Sequence, residues 1–455
     1  MNLAASLREF LPAEAVGEEP EVLRAHDGDK WFAHHLPDVV VWAESTAHVS
    51  ATLRFANERG IPVTARGAGY GYVGGVVPTH GGIALSVARM NRIIEIHDRD
   101  FVAVVEPGVI TGELQSAVRA RGLFYPPDPA SLKNCSIGGN IATNAGGPRC
   151  LKYGVTRAYV LGLEVVLADG RVVDVGGRAH KNKTGFDLIG MFVGSEGMLG
   201  VVTRATLRLL PHPPACAAIS AAMPTIRDAA AAVQAIFSAG HLPAALEIAD
   251  KFTLAAARAH LGDSVPAGDG HLLLELDGHA GAIRAELADL AALVSRSGST
   301  EVKTAFGDKA VEELWALRRG FSESLKASGL TKLNQDITVP RGRLVDLMDF
   351  AAGLQAKYGD AVACFGHAGD GNIHVNIMAA DYEIPAGHAR VNQALDGLFR
   401  QVIAWGGAIT GEHGIGLAKK RWWPQAVSAE NHALHRRIKF ALDPNGILNP
   451  GKFLD

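Results

Sequence analysis

A glycine-rich stretch at residues 66–75, RGAGYGYVGG, constrains the fold more than any other feature of the sequence. Gly69, Gly71 and Gly74 spell G-x-G-x-x-G, which in a Rossmann domain precedes a helix whose N-terminus holds a pyrophosphate. Here the chain continues as VVPTHGG, and Pro78 with the glycines after it is incompatible with a helix. The stretch is therefore predicted to be a loop between strands, where backbone N–H groups converge on an anion.

Two further loops, at 126–154 and 193–203, are also dense in glycine. In the first of them, Ser136, Asn140 and Asn144 supply small polar groups beside the glycines. A single loop of this kind is more often a tight turn. Three in one domain favour a large cofactor that carries phosphate.

The composition is that of an ordinary globular protein, with 455 residues, 48% of them hydrophobic and 20% charged. The net charge of −3 gives no general attraction to nucleic acid, so no such partner is expected. No apolar run reaches the ~18 residues of a membrane span, and the N-terminal stretch lacks the basic region of a cleaved signal. The four cysteines form no C-x-x-C pair, and we expect reduced thiols in a cytoplasmic protein.

The composition changes near 211–216, PHPPAC, where a domain boundary is predicted. Before it, short strands and helices alternate; segment 45–60 has a serine cap, helical apolar spacing and a terminal glycine. After it, alanine-rich helices alternate with strands, which is typical of an α+β domain. The predicted domains are 1–212, 213–425 and 426–455.

The stretch FGHAGDGNIHVNI at 365–377 is the most informative part of the second half. Its Asp-Gly dipeptide favours a two-residue hairpin turn, which would place His367 directly opposite His374 with side-chain roots about 5 Å apart. Two neutral imidazoles at that spacing can share a divalent ion. Asn376 lies on the same strand face as His374.

A second candidate stretch, GAITGEHGIG, places Glu412 and His413 between glycines. The carboxylate of Glu412 would complete a three-ligand site with an open position, and His413 would remain as a base. The same ligands could hold a zinc ion that activates water in a hydrolase, but the glycine loops would then have no purpose.

In their order, the motifs RGAG-x₄-GG, PPDP-x₆-SIGGN-x₃-NAGG and VGSEG-x-LG resemble the PCMH-type FAD domain of the vanillyl-alcohol-oxidase superfamily. The resemblance implies that the first loop cradles the FAD pyrophosphate without a Rossmann helix. Relatives with a covalent flavin have histidine near position 70, so non-covalent FAD is expected here. The cofactor-binding residues that it implies are Arg66, Gly67, Ala68, Gly69, Tyr70, Gly71, Gly74, Gly75, Pro127, Asp128, Ser136, Gly138, Gly139, Asn140, Asn144, Ala145, Gly146, Gly147, Glu196, Val201 and Asn449.

The later motifs GHAGDGNIH, GEHGIG and DPNGILNPGK resemble the C-terminal domain of the D-lactate, glycolate and D-2-hydroxyglutarate dehydrogenases, in the FAD-binding oxidoreductase/transferase type 4 family. The resemblance implies an α+β substrate domain with an antiparallel sheet, and a C-terminal segment that returns to the two-subdomain FAD domain. It implies that His367, His374 and Glu412 bind a divalent metal, zinc or manganese, and that His413 is the catalytic base.

The resemblance also implies the substrate contacts. Arg318 in LWALRRGFSES would hold a carboxylate, with Ser322 one turn later. Asn334 stands where D-2-hydroxyglutarate dehydrogenases have a lysine, and Lys332 lies roughly 7 Å further along the strand. Together with Asn376, these residues form the predicted substrate set. We therefore expect a monocarboxylate such as D-lactate rather than D-2-hydroxyglutarate.

The sequence thus predicts an FAD- and metal-dependent D-2-hydroxyacid dehydrogenase. A D-2-hydroxyglutarate dehydrogenase and the FAD subunit of a glycolate oxidase are alternatives in the same class. A zinc hydrolase and a non-catalytic flavoprotein subunit are alternatives in other classes. The electron acceptor is expected to be external (a quinone, a cytochrome or an electron-transfer flavoprotein), and the assembly a homodimer.

Overall fold

The structure, a computed structural model, describes residues 2–262 and 265–454. The chain folds as two units. Unit 1 comprises Met1–Gly146, Val155–His212 and Glu412–Asp455, and unit 2 comprises Gly147–Gly154 and Pro213–Gly411. Along the chain the units divide at Gly146/Gly147, Gly154/Val155, His212/Pro213 and Gly411/Glu412, whereas the sequence-based boundaries lie at 212/213 and 425/426.

The α-helices are α1 (Leu3–Leu7), α2 (Pro20–Arg24), α3 (Thr46–Arg59), α4 (Thr111–Arg119), α5 (Ile137–Thr143), α6 (Cys150–Tyr153), α7 (Ile189–Phe192), α8 (Ile226–Ser238), α9 (Lys251–Leu261), α10 (Ala280–Arg296), α11 (Asp308–Ala327), α12 (Leu344–Tyr358), α13 (Pro385–Ala404), α14 (Trp423–Ala426) and α15 (Ala429–Leu442). Within 2–262 and 265–454, none of the helices has both the length and the apolar character needed to cross a bilayer.

The strands of unit 1 are β1 (Val16–Gly17), β2 (Val39–Trp42), β3 (Val63–Arg66), β4 (Ile83–Ser86), β5 (Ile93–His97), β6 (Val102–Val105), β7 (Leu123–Phe124), β8 (Val160–Val166), β9 (Val172–Gly176), β10 (Val201–Arg208) and β11 (Leu210–Pro211). The strands of unit 2 are β12 (Ala215–Met223), β13 (Ala245–Ala249), β14 (Gly270–Gly278), β15 (Glu301–Phe306), β16 (Thr331–Thr338), β17 (Ala361–His367) and β18 (Asn372–Ala379).

Unit 1 contains two main sheets. The first has the order β1-β2-β4-β3, with β2 and β3 both parallel to β4, and the second is antiparallel with the order β5-β6-β10-β8-β9. Helix α3 begins after Ser45, whose hydroxyl accepts a hydrogen bond from the His48 N–H, and ends at Gly60 with φ 63°. The helix predicted for 45–60 is therefore confirmed, because both of its ends are set by local capping chemistry.

Unit 2 is built on one antiparallel sheet of seven strands in the order β15-β12-β14-β13-β17-β18-β16. Helices α9 and α11 cover part of one face, where Leu254 and Phe321 pack with Ala249 and Phe365 of the strands. The antiparallel sheet and the α+β class that the sequence predicted are confirmed.

The hairpin of β17 and β18 differs from the prediction. Its loop has four residues, Ala368 to Gly371, and His367 lies opposite Asn372 rather than His374. Two successive backbone hydrogen bonds, from Asp370 N–H to the His367 carbonyl and from Gly371 N–H to the Ala368 carbonyl, form this wider turn. The predicted register was wrong because the Asp-Gly dipeptide ends the four-residue loop and Gly371 alone has positive φ, at 74°.

Asp250 gives a stability test of the unit 2 core. Its carboxylate caps α9 by accepting the Thr253 N–H and also accepts the Cys364 N–H of β17, both at 2.8 Å. We expect Asp250→Ala to lower the free energy of unfolding by about 2–4 kcal/mol, because it removes a cap and leaves a buried N–H unsatisfied. Ser428→Ala, which removes the exposed cap of α15, should cost only about 1 kcal/mol. Thermal denaturation compares the two variants, and equal shifts in Tm would contradict this ranking.

Candidate active site

Polar side chains are concentrated on one face of the unit 2 sheet, and we call six of them the polar row: Glu247, His367, His374, Asn376, Asn334 and Asp336. Glu247, Asp336 and Asn376 are at most 1% exposed. Burying polar groups costs free energy unless they are hydrogen-bonded, so a row of them inside a sheet indicates a functional site.

The two histidines of the polar row lie close together despite the changed register. Their ring centroids are 5.5 Å apart at an interplanar angle of 79°, and a nitrogen of each ring lies within 4.8 Å of the other. His374 is displaced by two residues from the partner of His367, so the alternation of the strand keeps both rings on one face. This pair can supply two nitrogen ligands to a divalent ion.

Glu247 connects one histidine to the predicted substrate arginine. One carboxylate oxygen lies 2.6 Å from His367 Nδ1, and the other accepts the Nε–H of Arg318, also at 2.6 Å. Burial would raise the pKa of Glu247, but the charge of Arg318 and the hydrogen bonds from Arg318 and His367 outweigh it and hold the pKa below its usual range. The site therefore contains an ionised carboxylate that sequence reasoning missed. The signal for it was a glutamate inside the otherwise apolar strand ALEIA.

Asp336 fixes the segment that leads to Glu412. Its carboxylate accepts the hydroxyl of Thr410 at 2.9 Å and the N–H of Gly411 at 3.0 Å. A Cβ on Gly411 would lie 2.3 Å from the Asn372 side chain, so only glycine fits there. Asp336, the cross-strand partner of His374, was not among the predicted site residues.

The predicted substrate residues of unit 2 lie around Phe365. The Arg318 guanidinium is 4.9 Å and the Lys332 ammonium 5.8 Å from the centroid of its ring. Lys332 donates to Ser322 Oγ at 2.7 Å, and burial lowers the pKa of Lys332 to about 8, with a further contribution from the charge of Lys326.

Asn334 and Asn376 are direct cross-strand partners. Asn376 donates to the carbonyls of Ala363 and His374, both at 3.0 Å. The side-chain oxygens of both asparagines are buried and accept no hydrogen bond within the described part of the chain. These two acceptors are the kind of group that a bound ligand satisfies, because leaving them unmet is costly.

In unit 1, a carboxylate binds the backbone at the end of the first glycine loop. Asp29 accepts the N–H groups of Gly74 and Gly75 at 3.3 and 3.1 Å, and burial raises its pKa against the opposing effect of these hydrogen bonds. Ala68 N–H donates to Ser136 Oγ at 3.3 Å. These three N–H groups of the predicted phosphate contacts are therefore already partnered inside the protein.

The central part of the same loop fits an anion. The N–H groups of Gly69, Tyr70 and Gly71 donate to no acceptor among residues 2–262 and 265–454. Gly69 has φ 71°, and a Cβ there would lie 2.1 Å from the end of the Arg66 side chain. The Lys30 ammonium lies 4.7 Å from the centroid of the Tyr70 ring, so a second cation borders the loop.

The second loop is held together internally. Asn140 donates to the Thr111 hydroxyl at 2.6 Å, and the side-chain oxygen of Asn144 accepts the Arg157 N–H at 2.9 Å. A Cβ on Gly138 would lie 2.6 Å from Pro107. The other predicted residues of this region are also placed. The carbonyl of Pro127 accepts a hydrogen bond from the Gln115 side chain, and Asp128 is buried. Gly139 lies in α5, Ala145 and Gly146 follow this helix, and Gly147 begins the short segment of unit 2.

The third loop and the C-terminal segment meet within unit 1. Glu196 has φ 50°, and its carboxylate accepts the N–H groups of Ile415 and Gly416 at 2.8 and 2.9 Å. Asn449 donates to the carbonyls of Gly75 and Glu196, at 3.0 and 2.7 Å, and so joins the first and third loops. Val201, a further predicted residue, begins β10 and is buried.

His413 lies beside the first glycine loop. Its ring centroid is 5.5 Å from that of Tyr72, with 32° between the planes, and its Nε2 is 3.7 Å from a carboxylate oxygen of Glu412. Because Glu196 binds the backbone directly after this segment, the position of the imidazole is fixed within unit 1. Tyr72 was not predicted, although it lies in the quoted loop.

Comparisons with known proteins show which family the chain resembles. Residues 37–176 match the family described as FAD binding domain, and residues 212–453 match FAD linked oxidases, C-terminal domain. The chain is 39% identical to the glycolate oxidase subunit GlcD of Bacillus subtilis, covering 92% of this chain and 89% of the relative. It is 33% identical to D-lactate dehydrogenase of Anaerostipes hadrus, covering 99% and 97%.

Two further similarities bear on substrate and fold. D-2-hydroxyglutarate dehydrogenase of Xanthomonas citri pv. viticola is 35% identical, covering 99% of this chain and 96% of the relative. The structure of p-cresol methylhydroxylase with substrate bound superposes with a TM-score of 0.81 at 20% identity, covering 99% and 96%. This structural neighbour confirms the PCMH-type fold.

The glycine loops and these matches define an FAD-linked oxidoreductase. The chain belongs to the family of FAD linked oxidases, and within it to the type that includes D-lactate, glycolate and D-2-hydroxyglutarate dehydrogenases.

A glycine pair tests the first loop. We expect Gly69→Ala to weaken FAD binding by about tenfold, because positive φ costs ~1–2 kcal/mol with a side chain and Arg66 must also move. Gly122→Ala is the control, since Gly122 has φ 70° with nothing within 4 Å of its Cβ position. Both apo-proteins are titrated with FAD, and flavin fluorescence reports the binding. The comparison separates the effect of backbone strain alone, present in both variants, from the loss of FAD contacts at Gly69. Equal FAD affinities of the two variants would show that Gly69 does not contribute to FAD binding.

Proposed function

We propose that the protein is an FAD- and divalent-metal-dependent D-2-hydroxyacid dehydrogenase that oxidises a D-lactate-like acid to the 2-oxo acid. The observation that carries the proposal is the buried pair of His367 and His374, tied through Glu247 to Arg318. A histidine pair alone would also suit a hydrolase. Membership of the FAD-linked oxidase family sets that alternative aside.

We propose that Glu412 is the third metal ligand, beside His367 and His374, for zinc or manganese. The support is the chain itself, because Glu412 follows Gly411, whose N–H is held by Asp336, the cross-strand partner of His374. Two imidazoles and a carboxylate form a donor set that zinc accepts with a position left open. A divalent ion held by these residues would supply positive charge that lowers the pKa of a substrate hydroxyl.

The protein's own groups have distinct tasks in this proposal. Arg318 keeps its terminal N–H groups for a substrate carboxylate, because its hydrogen bond to Glu247 uses Nε alone. His413 takes the hydroxyl proton, and Asn376 and Asn334 accept hydrogen bonds from the substrate or its bound water. FAD, when bound, supplies the acceptor for the hydride that leaves Cα.

The cofactor is proposed to bind without a covalent link, with its pyrophosphate at the N–H groups of Gly69, Tyr70 and Gly71. Electrons then pass to an external acceptor, which we expect to be a quinone, a cytochrome or an electron-transfer flavoprotein. The cytoplasmic location and the homodimer expected from the sequence stay predictions.

The function is tested by His413→Asn. The variant should still bind FAD, but anaerobic bleaching of its flavin by D-lactate should slow by about 10²–10⁴-fold, the usual cost of losing a general base. Stopped-flow absorbance at the flavin band measures the rate. A bleaching rate of His413→Asn within threefold of the wild-type rate would exclude His413 as the base. If no D-2-hydroxy acid bleaches the flavin of the wild type, the proposed activity is wrong.

Removal of the metal provides a second test. We expect chelation to abolish turnover and to leave the FAD spectrum unchanged, since the two histidines lie in unit 2 and the glycine loops are mainly in unit 1. Added zinc or manganese should restore the activity of the wild type but not of the His367→Ala, His374→Ala double variant. Full activity of that double variant after chelation would show that no metal is needed there.

The choice of hydroxy acid should depend on pH through Lys332. Because the pKa of Lys332 is lowered to about 8, its charge is lost as the pH rises through that value, and a distal carboxylate then loses a partner. The kcat/KM for D-2-hydroxyglutarate should therefore lie below that for D-lactate and fall further between pH 7 and 9, whereas Lys332→Met should abolish the pH dependence of the ratio. A tenfold preference for D-2-hydroxyglutarate at pH 7 would contradict the proposed substrate.

A further inference from the structure

We propose that Glu247 is a positioning residue that fixes the tautomer and ring orientation of His367 and, through the same carboxylate, the guanidinium of Arg318. The inference rests on the proposed function, because it assigns Glu247 a task toward the metal ligand and the substrate arginine. It adds a residue that belongs to neither the metal nor the substrate set above.

The geometry identifies the nitrogen of His367 that faces Glu247. An ionised carboxylate only accepts hydrogen bonds, so the contact of 2.6 Å requires that Nδ1 carries the proton. Nε2 is then the nitrogen with a lone pair. A histidine ligand is commonly oriented by a carboxylate on its second nitrogen, which also raises the basicity of the ligand.

The backbone holds this contact in place. Glu247 and His367 are direct cross-strand partners in the antiparallel pair of β13 and β17, so their side chains leave the sheet on the same face and at close spacing. The Glu247 side chain is 1% exposed and that of His367 is 7% exposed. Water therefore does not compete for the carboxylate, and the orientation is set by the protein alone.

The second oxygen of Glu247 links the histidine to α11. It accepts the Nε–H of Arg318, a residue 71 positions away in the chain, at 2.6 Å. Each carboxylate oxygen of Glu247 therefore accepts one of these two hydrogen bonds, and a substitution that removes one oxygen also removes its hydrogen bond. This bridge predicts that substitution at Glu247 affects metal affinity and substrate binding together, although the residue contacts neither.

A buried carboxylate on the neighbouring strand gives a matched control. Glu275 of β14 is 3% exposed and accepts hydrogen bonds of 2.9 and 3.1 Å from Arg149, and its side chain has no hydrogen bond to a histidine among residues 2–262 and 265–454. Glu275→Gln therefore removes a buried arginine–carboxylate pair from the same sheet and leaves the polar row intact.

The experiment measures the affinity of zinc for metal-free protein by isothermal titration calorimetry. We expect Glu247→Ala to bind zinc about 10–100-fold more weakly than the wild type, as is typical when a carboxylate behind a histidine ligand is lost. Glu247→Gln, which has a single oxygen acceptor and nearly the same shape, should lie between the two. Glu275→Gln should match the wild type. The FAD spectrum and the Tm of each variant report whether the fold is kept.

Steady-state kinetics supply the second measurement. At saturating zinc, Glu247→Gln should raise KM for D-lactate, because Arg318 loses its anchor, whereas Glu275→Gln should leave KM unchanged. Zinc affinities of both Glu247 variants within twofold of the wild type would overturn the inference and leave the proposed function standing. A wild type that binds no zinc would instead overturn the metal assignment itself, and this inference with it.

Discussion

The buried carboxylate of Glu247 is the constraint on which unit 2 depends. An isolated ionised carboxylate at this depth would cost several kcal/mol, so the fold must bring positive or proton-donating partners to it. It does so from two directions, with His367 on the adjacent strand and Arg318 on α11. The register of β13 against β17 and the placement of α11 are thus tied to one charge. A change in either would leave that charge with one partner instead of two.

Unit 1 must anchor three glycine-rich segments: 126–154 contains the helices α5 and α6, whereas 66–75 and 193–203 contain no helix. Polar side chains take that role here: Asp29 binds the backbone of the first loop, and Glu196 binds the segment after His413. Asn449 joins the first and third loops through two carbonyls. Glycine is needed where backbones approach closely, since a Cβ on Gly67 would lie 2.2 Å from Ser136 Oγ. The loops are therefore ordered by a few buried polar contacts.

The sequence predicts well what local chemistry decides. The caps of α3 and the closeness of the two histidines follow from short-range patterns, whereas the antiparallel sheet of unit 2 was implied by the family resemblance. Glu247 and Asp29 escaped prediction because their partners are distant in the chain: His367 lies 120 residues from Glu247, and Gly74 lies 45 residues from Asp29. A lone acidic residue in an apolar strand or a loop signals that a partner exists. It does not say which residue that partner is.

The longer loop of the β17–β18 hairpin changes the pairing of His367 but not the face on which the side chains lie. The loop is two residues longer than expected, which moves the partner of His367 from His374 to Asn372. Side chains alternate along a strand with a period of two, so a shift by two residues leaves every side chain on the face it would have occupied. His374 and Asn376 therefore remain on the same face as His367, and only the spacing along the strand changes. A shift by one residue would have turned both away from Glu247, and the two histidines would not share a face. The face that a side chain occupies is therefore unchanged when a hairpin loop grows by two residues, although its direct cross-strand partner changes.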